Sequence, residues 1–226
     1  MKVLYEDNHI IIVDKAPGEI VQGDKTGDKP LSETVGEWIK EKYSKPGNVF
    51  VGVVHRLDRP VGGVVVFAKT SKALARLNEM FRLGQVNKTY LALTRNHPPK
   101  DSERLTGYVT TVERNNKSYF SPTPVKGGKE VALSYKLLGS SDHYHLLEVH
   151  LETGRKHQIR VQLSSIGCPV KGDLKYGDRR SNPDGSISLR AHRIEFIHPV
   201  SGAKIDVTAP LPDDPLWQAF KPILEP

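Results

Sequence analysis

A carboxylate between two arginines is the feature of this sequence best suited to chemistry. Segment Val53–Pro60 reads Val-Val-His-Arg-Leu-Asp-Arg-Pro, which puts Asp58 between Arg56 and Arg59. Neighbouring cations favour the ionised carboxylate, and a fixed anion can act as a nucleophile or general base. The arginines can bind the phosphates of a nucleic acid. The alternative is an exposed salt-bridge turn, which contributes little to stability. This segment alone does not separate the two interpretations.

A second basic segment, Gly154–Arg160, reads Gly-Arg-Lys-His-Gln-Ile-Arg and is predicted to join a strand to a helix. Backbone N–H groups at a helix start, together with Arg155 and Lys156, would form an anion site. Arg160 lies about 100° around the helix from the core-facing Ile159. From the edge of the buried face an arginine can reach inward to a carboxylate. The alternative is a basic helix start from which Arg160 extends to water.

Other candidate chemistries are weaker. A metal site would have to use the histidines, of which two, His143 and His145, are predicted to share a strand face without a third ligand at a suitable spacing. The sequence contains no Walker A, GxGxxG or GxSxG motif. The lone Cys168 excludes a disulfide within the chain and is expected to be a packed residue. The pattern around Tyr90 is more typical of core than of catalysis.

Composition favours a polyanionic partner. The 226 residues carry a formal net charge of +7, with 37% hydrophobic and 26% charged residues. This balance is typical of a folded protein, and its basic excess suits RNA or DNA. Acidic residues interrupt the first segment before an apolar core forms, and no apolar run has membrane-spanning length. We therefore expect a cytoplasmic protein with no membrane contact.

Strand-like segments outnumber helical ones. Apolar runs typical of strands lie at 10–13, 49–54, 64–68, 88–94, 105–112, 131–138, 145–151, 187–197 and 203–208. Helical spacing marks a segment from Leu31 capped by Ser32, one capped by Thr70 or Ser71 and ended by Gly84, and segments 159–166 and 216–224. We predict an α+β fold in which residues 1–226 form a single domain, with a mixed, mainly antiparallel sheet flanked by helices. The polar stretch 113–129 is predicted to be a flexible loop or hairpin arm.

The motifs together resemble a known family. His55–Pro60 resembles the His-Arg-Leu-Asp-Arg signature of the RluA-type pseudouridine synthases, and Lys88-Thr89-Tyr90 resembles their second motif. Segment 154–161 resembles the third motif, and the similarity continues through 167–173, 189–192 and 198–202. Several ordered motifs at family-like spacing are far more specific than any one of them, and they extend over nearly the whole chain.

The resemblance implies isomerisation of uridine to pseudouridine within RNA, with no cofactor and no metal. Asp58 matches the family's essential aspartate, which either attacks covalently or removes a ribose proton. Tyr90 matches the tyrosine that packs on the uracil and is a candidate proton acceptor, and Arg160 matches the basic residue that pairs with the aspartate. Leu189 corresponds to an apolar contact to the base, and Arg56 to the arginine that fills the space of the flipped base.

The remaining expectations concern substrate and organisation. We expect the substrate to be contacted also by His55, Arg59, Arg155 and His157. Three departures from the family pattern, Val61-Gly62, Lys156 and Gln162, put substrate contacts rather than activity in doubt. No S4-like module is expected, so a monomer would grip ribosomal or transfer RNA with the catalytic domain and the 113–129 arm. The alternatives are a non-catalytic RNA-binding protein and a metal-dependent phosphodiesterase that uses Asp58, Asp173 and the histidines.

Overall fold

The computed structural model describes residues 1–224, which form two compact units. The first unit comprises Met1–Asn87 and Arg193–Ala209, and the second comprises Lys88–His192 and the described residues from Pro210 onward. Two of the three unit boundaries lie within strands, after Asn87 at the start of β5 and after His192 inside β10, and the third lies between Ala209 and Pro210 at the start of a Pro-rich stretch. The sequence therefore carries no linker signal at the two boundaries that lie within strands.

Eleven strands and five α-helices are described among residues 1–224. The strands are β1 (Lys2–Glu6), β2 (Ile10–Lys15), β3 (Gly52–Val53), β4 (Gly62–Ala68), β5 (Asn87–Thr94), β6 (Ser102–Val112), β7 (Lys117–Ser121), β8 (Lys129–Ser140), β9 (His145–Leu151), β10 (Leu189–Ile197) and β11 (Lys204–Thr208). The helices are α1 (Leu31–Lys42), α2 (Ser71–Arg82), α3 (Gln158–Ser165), α4 (Pro215–Ala219) and α5 (Lys221–Leu224). Every strand pairing whose register is described is antiparallel. The predicted α+β class with a mainly antiparallel sheet is confirmed.

The first unit is built on β2 and β4, which pair from Ile10 opposite Ala68 to Lys15 opposite Gly63. Both strands are buried along almost their whole length, so they appear as continuous apolar runs rather than alternating ones. Helix α2 packs Ala73 and Leu77 into this core. The result is a rigid base for the loop that leads into β4.

The helix ends of the first unit test the predicted caps. Thr70 Oγ1 accepts a hydrogen bond from the Ala73 N–H at 3.1 Å, which confirms one of the two predicted caps of α2. Gly84 ends this helix in the left-handed region at φ +70°. The predicted Ser32 cap of α1 is wrong, because the helix begins one residue earlier and follows Pro30, which has no side-chain cap.

The predicted strand at 49–54 is also wrong in length. Only Gly52 and Val53 pair with β4, and the Phe50 side chain is exposed. Gly52 lies so close to α2 that an added Cβ would be 3.0 Å from the Leu74 side chain. The chain then leaves the sheet, and the next backbone N–H of β4, that of Val66, is bonded by the side chain of His55 instead.

The second unit is a meander of antiparallel strands in the order β5-β9-β8-β6-β7. Strand β7 lies within the polar stretch 113–129 and pairs with β6, so this stretch includes part of a hairpin, one of the two predicted alternatives. Helix α3 follows β9 and ends before Gly167, which has φ +78°, as predicted. Cys168 is buried and packed, as predicted, and burial raises the pKa of its thiol to about 11.

The predicted closing helix at 216–224 is interrupted. Asp214 accepts hydrogen bonds from the first N–H groups of α4, and α4 ends at Ala219. Because Pro222 lacks an N–H, the chain does not continue as one helix, and α5 is a separate short turn. Trp217 and Phe220 still pack into the core of this unit with Leu91 and Leu93. No helix among the described residues is long and apolar enough to cross a membrane.

Candidate active site

The Asp58 carboxylate lies on the loop between β3 and β4 in the first unit. A turn closes this loop, since the Val61 N–H donates to the Asp58 carbonyl at 3.0 Å. The Gly18 N–H donates to the Arg59 carbonyl at 2.8 Å, and Gly18 has φ +90°, a conformation that glycine adopts without strain. Asp58 itself is half-buried. The loop is thus anchored to the turn that follows β2.

Lys15 binds the backbone of this loop, and its role was not predicted from the sequence. Its side chain is fully buried, and Nζ lies 2.7 Å from the Val61 carbonyl oxygen, 3.1 Å from that of Arg59 and 3.4 Å from that of Asp58. It also donates to the Ala16 carbonyl at 3.1 Å. An ammonium with three N–H donors fixes the path of segment 58–61 through these carbonyls. Burial lowers the pKa of this ammonium to about 8.

A sequence signal for Lys15 existed. It is the last residue of β2 and, by the period of two, shares a strand face with the fully buried Ile11 and Val13. A lysine at an inward-facing strand position is rarely fully buried unless its charge is solvated by other groups. That pattern predicts a cation bound by backbone oxygens.

The two arginines beside Asp58 have different environments. Arg56 is exposed. Arg59 Nη1 donates to Asp28 at 2.6 Å and Nη2 donates to Thr26 at 2.9 Å, and the hydrogen bond from Arg59 lowers the pKa of the Asp28 carboxyl. These partners are exposed, and exposed ion pairs contribute little. Arg59 is therefore held only weakly against the 24–28 loop.

His55 has a packing role in the structure. Its Nε2 accepts a hydrogen bond from the Val66 N–H at 3.0 Å, and its ring stacks on Phe81 with the centroids 4.9 Å apart. These contacts explain the position of the His55 side chain, two residues after β3, without a substrate. The expected contact between His55 and the substrate stays a prediction.

The Arg160 guanidinium lies inside the second unit. Only 5% of the residue is exposed, so the alternative in which it extends to water is wrong. Nε donates to Asp173 Oδ2 at 2.6 Å and Nη2 donates to Asp173 Oδ1 at 2.9 Å, a bidentate pair. The Tyr176 ring centroid is 4.9 Å from the guanidinium carbon. Arg160 thus reaches inward to a carboxylate as predicted, and its pairing with Asp58 stays a prediction.

The turn after α3 places these partners. Gly172 has φ +88°, and an added Cβ there would be 2.8 Å from the side chain of Asn182, so the position requires glycine. Asp178 accepts the Gly172 N–H at 2.6 Å, and a single 3-10 turn at Leu174–Tyr176 follows Asp173. This compact turn places both the Asp173 carboxylate and the Tyr176 ring against Arg160.

The start of α3 depends on a buried amide that sequence reasoning also missed. Gln158 Oε1 accepts the Arg155 N–H at 3.0 Å and the Thr153 hydroxyl at 2.9 Å, and its Nε2 donates to Gln162 at 3.0 Å. The Arg155 N–H, which directly precedes the helix start predicted as an anion site, is thus already bonded within the chain. The side chains of Arg155 and Lys156 are exposed and remain candidates for phosphate contact.

The other predicted site residues belong to the second unit. Tyr90 is largely buried in β5 opposite Val149, and Leu189, also buried, begins β10. His157 is buried in the left-handed region at φ +56°, and its Nδ1 lies 2.7 Å from the Tyr176 hydroxyl. The structure brings together His157, Arg160 and Tyr176. The meeting of Asp58 with Tyr90 and Arg160 stays a prediction.

The histidines do not form the predicted pair. His143 lies in the turn before β9, so the prediction that it shares a strand face with His145 is wrong. Within residues 1–224, no group of three His, Cys, Asp or Glu side chains is placed to hold a metal ion. Both Asp173 oxygens, which the phosphodiesterase alternative requires, are bonded to Arg160.

Comparison with known families defines the class to which this fold and its motifs belong. Residues 9–165 match the family described as RNA pseudouridylate synthase. This match spans more than half of the chain, and the chain belongs to the RNA pseudouridylate synthase family. The class predicted from the motifs, an isomerase acting on uridine in RNA, is confirmed.

Individual relatives agree with this class. The chain is 31% identical over 230 residues to ribosomal large subunit pseudouridine synthase D of Zymomonas mobilis, covering 95% of this chain and 70% of that protein. It is 29% identical to tRNA pseudouridine synthase C of Pectobacterium carotovorum, covering 92% of this chain and 58% of that protein. The fold matches the solved structure described as human RNA pseudouridylate synthase domain containing 4, with a TM-score of 0.80 at 22% identity over 99% of this chain and 93% of that chain.

Proposed function

We propose that this protein isomerises specific uridines to pseudouridine in structured ribosomal or transfer RNA, as a cytoplasmic monomer and without a cofactor or metal. The observation that carries the proposal is the family signature around Asp58, on a loop whose backbone Lys15 binds through three carbonyls. The names of the relatives support both RNA classes, and the net charge of +7 suits a polyanionic substrate.

The reaction exchanges one glycosidic bond for another within the same nucleotide. The bond from the ribose to N1 of uracil breaks, the bond from the ribose to C5 forms, and the C5 proton is released while N1 gains one. We assign the attack on the ribose, or removal of a ribose proton, to the Asp58 carboxylate. Tyr90 packs on the uracil and is the candidate acceptor of the C5 proton. Arg160 keeps the carboxylate ionised in a pocket with little water.

The target base must leave its stack before this chemistry. Extrusion of a base costs a few kcal/mol, and it costs least in a loop or bulge of the RNA. The exposed Arg56 guanidinium is the group proposed to fill the vacated space, where its planar shape can stack. Leu189 provides an apolar contact to the flipped base. Arg59, Arg155 and His157 are proposed to contact the surrounding RNA.

The hairpin arm, residues 113–129, is proposed to grip RNA away from the flipped base. Its Tyr119 side chain is 44% exposed, and Lys117 Nζ lies 5.8 Å from the centre of that ring. Arg114 and Lys126 are exposed on the same arm. Exposed aromatic rings beside cations bind RNA by stacking on bases and pairing with phosphates.

The decisive test is tritium release from RNA labelled at C5 of uridine. We expect release with the wild-type chain and none above background with Asp58→Asn. Asp206→Asn, which changes an exposed aspartate paired with Arg193, is the matched control and should release tritium like the wild type. Equal release by wild type and Asp58→Asn would refute the assignment of Asp58. A chain that binds RNA without any release would favour the non-catalytic alternative. Mapping pseudouridine in cells that lack the protein would identify the target RNA.

A further inference from the structure

The groups around Arg160 include two side chains that the proposed mechanism leaves without a role. They are Asp173, which is 1% exposed, and Tyr176, which is 5% exposed. We propose that Asp173 and Tyr176 are positioning residues that hold the Arg160 guanidinium in the orientation required for the reaction. This inference depends on the proposed function, because it concerns how the Arg160 side chain is presented.

The contacts restrict the guanidinium in two directions. The bidentate pair from Nε and Nη2 to the two Asp173 oxygens fixes the rotation of the guanidinium within its own plane. The Tyr176 ring, with its centroid 4.9 Å from the guanidinium carbon, packs against the same group. The two contacts leave the end of the Arg160 side chain little freedom to turn.

A stabilising role alone does not account for a buried pair of this kind. Removing two charges from water costs several kcal/mol per ion, and apolar side chains of similar volume are often as stabilising or more so. A fixed orientation is what such a pair adds, because carboxylate and guanidinium match in only a few geometries. An arginine that must act at one atom of a substrate benefits from that restriction.

The Tyr176 ring is itself fixed by its hydroxyl. The Ser118 N–H donates to this oxygen at 2.8 Å, and the hydroxyl lies 2.7 Å from His157 Nδ1. Since the oxygen accepts from Ser118, its proton is available to donate to His157. Burial raises the pKa of this phenol, so the proton is retained at neutral pH. Ser118 belongs to β7, which ties the hairpin arm to the ring that covers Arg160.

A double-mutant cycle tests the role of Asp173. We expect Asp173→Asn to lower kcat by about a hundredfold, the loss typical of a misplaced reacting group, with KM for RNA within about twofold of wild type. In the Arg160→Met background the same change should have no further effect on kcat, because Asp173 acts through Arg160. A loss of kcat that is equal in both backgrounds would overturn the proposal.

Tyr176 provides a test that does not depend on the charge of Asp173, whose removal can unfold the chain. Tyr176→Phe keeps the ring and should lower kcat by about tenfold or less, the value of one hydrogen bond. Tyr176→Leu should lower kcat by about a hundredfold while KM stays near the wild-type value. Tyr135→Phe, which removes another buried hydroxyl of this unit, is the matched control and should keep the wild-type kcat.

The outcomes separate the two proposals. Thermal melts monitored by circular dichroism establish that each variant is folded at the assay temperature. A wild-type kcat in folded Tyr176→Leu would overturn the positioning role and leave the proposed function intact. A wild-type chain with no tritium release from any cellular RNA would instead refute the proposed function.

Discussion

Two buried cations lie near the predicted catalytic groups, and the chain neutralises them in different ways. Arg160 is bound by the Asp173 carboxylate, whereas the Lys15 ammonium donates hydrogen bonds to the backbone carbonyls of Ala16, Asp58, Arg59 and Val61. Carbonyl dipoles compensate a buried charge less completely than a carboxylate, so burial dominates and lowers the pKa of Lys15 to about 8. Arginine keeps its charge in proteins at any accessible pH. Of the two cations, only Lys15 therefore loses its charge in mildly alkaline solution.

The lowered pKa of Lys15 predicts a pH dependence of stability with a definite sign. Between about pH 8 and the ordinary lysine value of 10.5 the unfolded chain binds a proton that the folded chain has lost. The contribution of Lys15 to the free energy of unfolding therefore rises with pH in this window. From pH 7.5 to 9.5 wild type should gain about 2 kcal/mol relative to Lys15→Met. Urea unfolding of both chains at the two pH values measures this difference, and an unchanged difference would contradict the assigned pKa.

Removing the charge of Arg160 should affect turnover more than binding. In the proposed mechanism Arg160 acts at the carboxylate, so Arg160→Met should lower the single-turnover rate by about a hundredfold. The dissociation constant for RNA should change by no more than about threefold, which filter binding measures. Arg95→Met removes another arginine paired with a buried aspartate, Asp178, and should leave turnover near wild type. A variant of Arg160 whose only defect was weaker RNA binding would contradict the assigned role.

At the scale of elements, the predictions that held depend on local signals. Continuous apolar runs predicted β2 and β4, and Thr70 and Gly84 correctly marked the ends of α2. The predicted strand at 49–54 failed because tertiary contacts, not propensity, decide where pairing with β4 stops. Ser32 failed as a cap because it lies inside α1, which begins at Leu31 directly after Pro30. Such boundary errors follow from reading one segment at a time.

For the candidate site, the sequence supplied the reaction class and named residues whose roles stay predictions. The motifs pointed to Asp58, Tyr90 and Arg160 from sequence alone, and the family comparison confirmed the class of reaction. The roles of Lys15 and Asp173 could be recognised only from the structure. Lys15 binds carbonyls 43 to 46 residues away, and no spacing rule relates such partners. Contacts of this range are set by the fold.

The buried amide of Gln158 should be essential to the start of α3. Its loss removes the acceptor of the Arg155 N–H, the shorter of two hydrogen bonds donated by the Thr153 hydroxyl, and the donor to the buried Gln162 side chain. Each unsatisfied buried polar group costs about 1–3 kcal/mol. We therefore expect Gln158→Ala to lower the free energy of unfolding by about 2–4 kcal/mol in urea titrations. The matched control is Gln85→Ala, which truncates an exposed amide. If Gln158→Ala lowered the free energy of unfolding no more than this control does, the amide network would be dispensable.

For the whole molecule, the excess of cations bears on how RNA is held. The 33 lysines and arginines exceed the 26 acidic residues, and they are spread along the sequence rather than gathered in one tail. A protein that binds RNA through such a surface releases counterions from the phosphates it contacts. RNA affinity should then fall steeply between low and physiological salt, and a flat affinity would exclude the basic surface as the RNA contact.

The salt dependence also tests where on the molecule the RNA lies. If the hairpin arm contacts single-stranded RNA phosphates, Lys117→Ala and Lys126→Ala should each reduce the slope of log affinity against log salt by about 0.7. Lys40→Ala removes the same charge from the exposed face of α1 and should leave the slope unchanged. Equal changes in slope for all three variants would mean that RNA affinity depends only on the net charge of the protein. A reduced slope in the two arm variants alone would instead mean that the hairpin arm contacts the substrate. The contact would then be made by the outer face of the arm, because its inner face binds Tyr176 through Ser118.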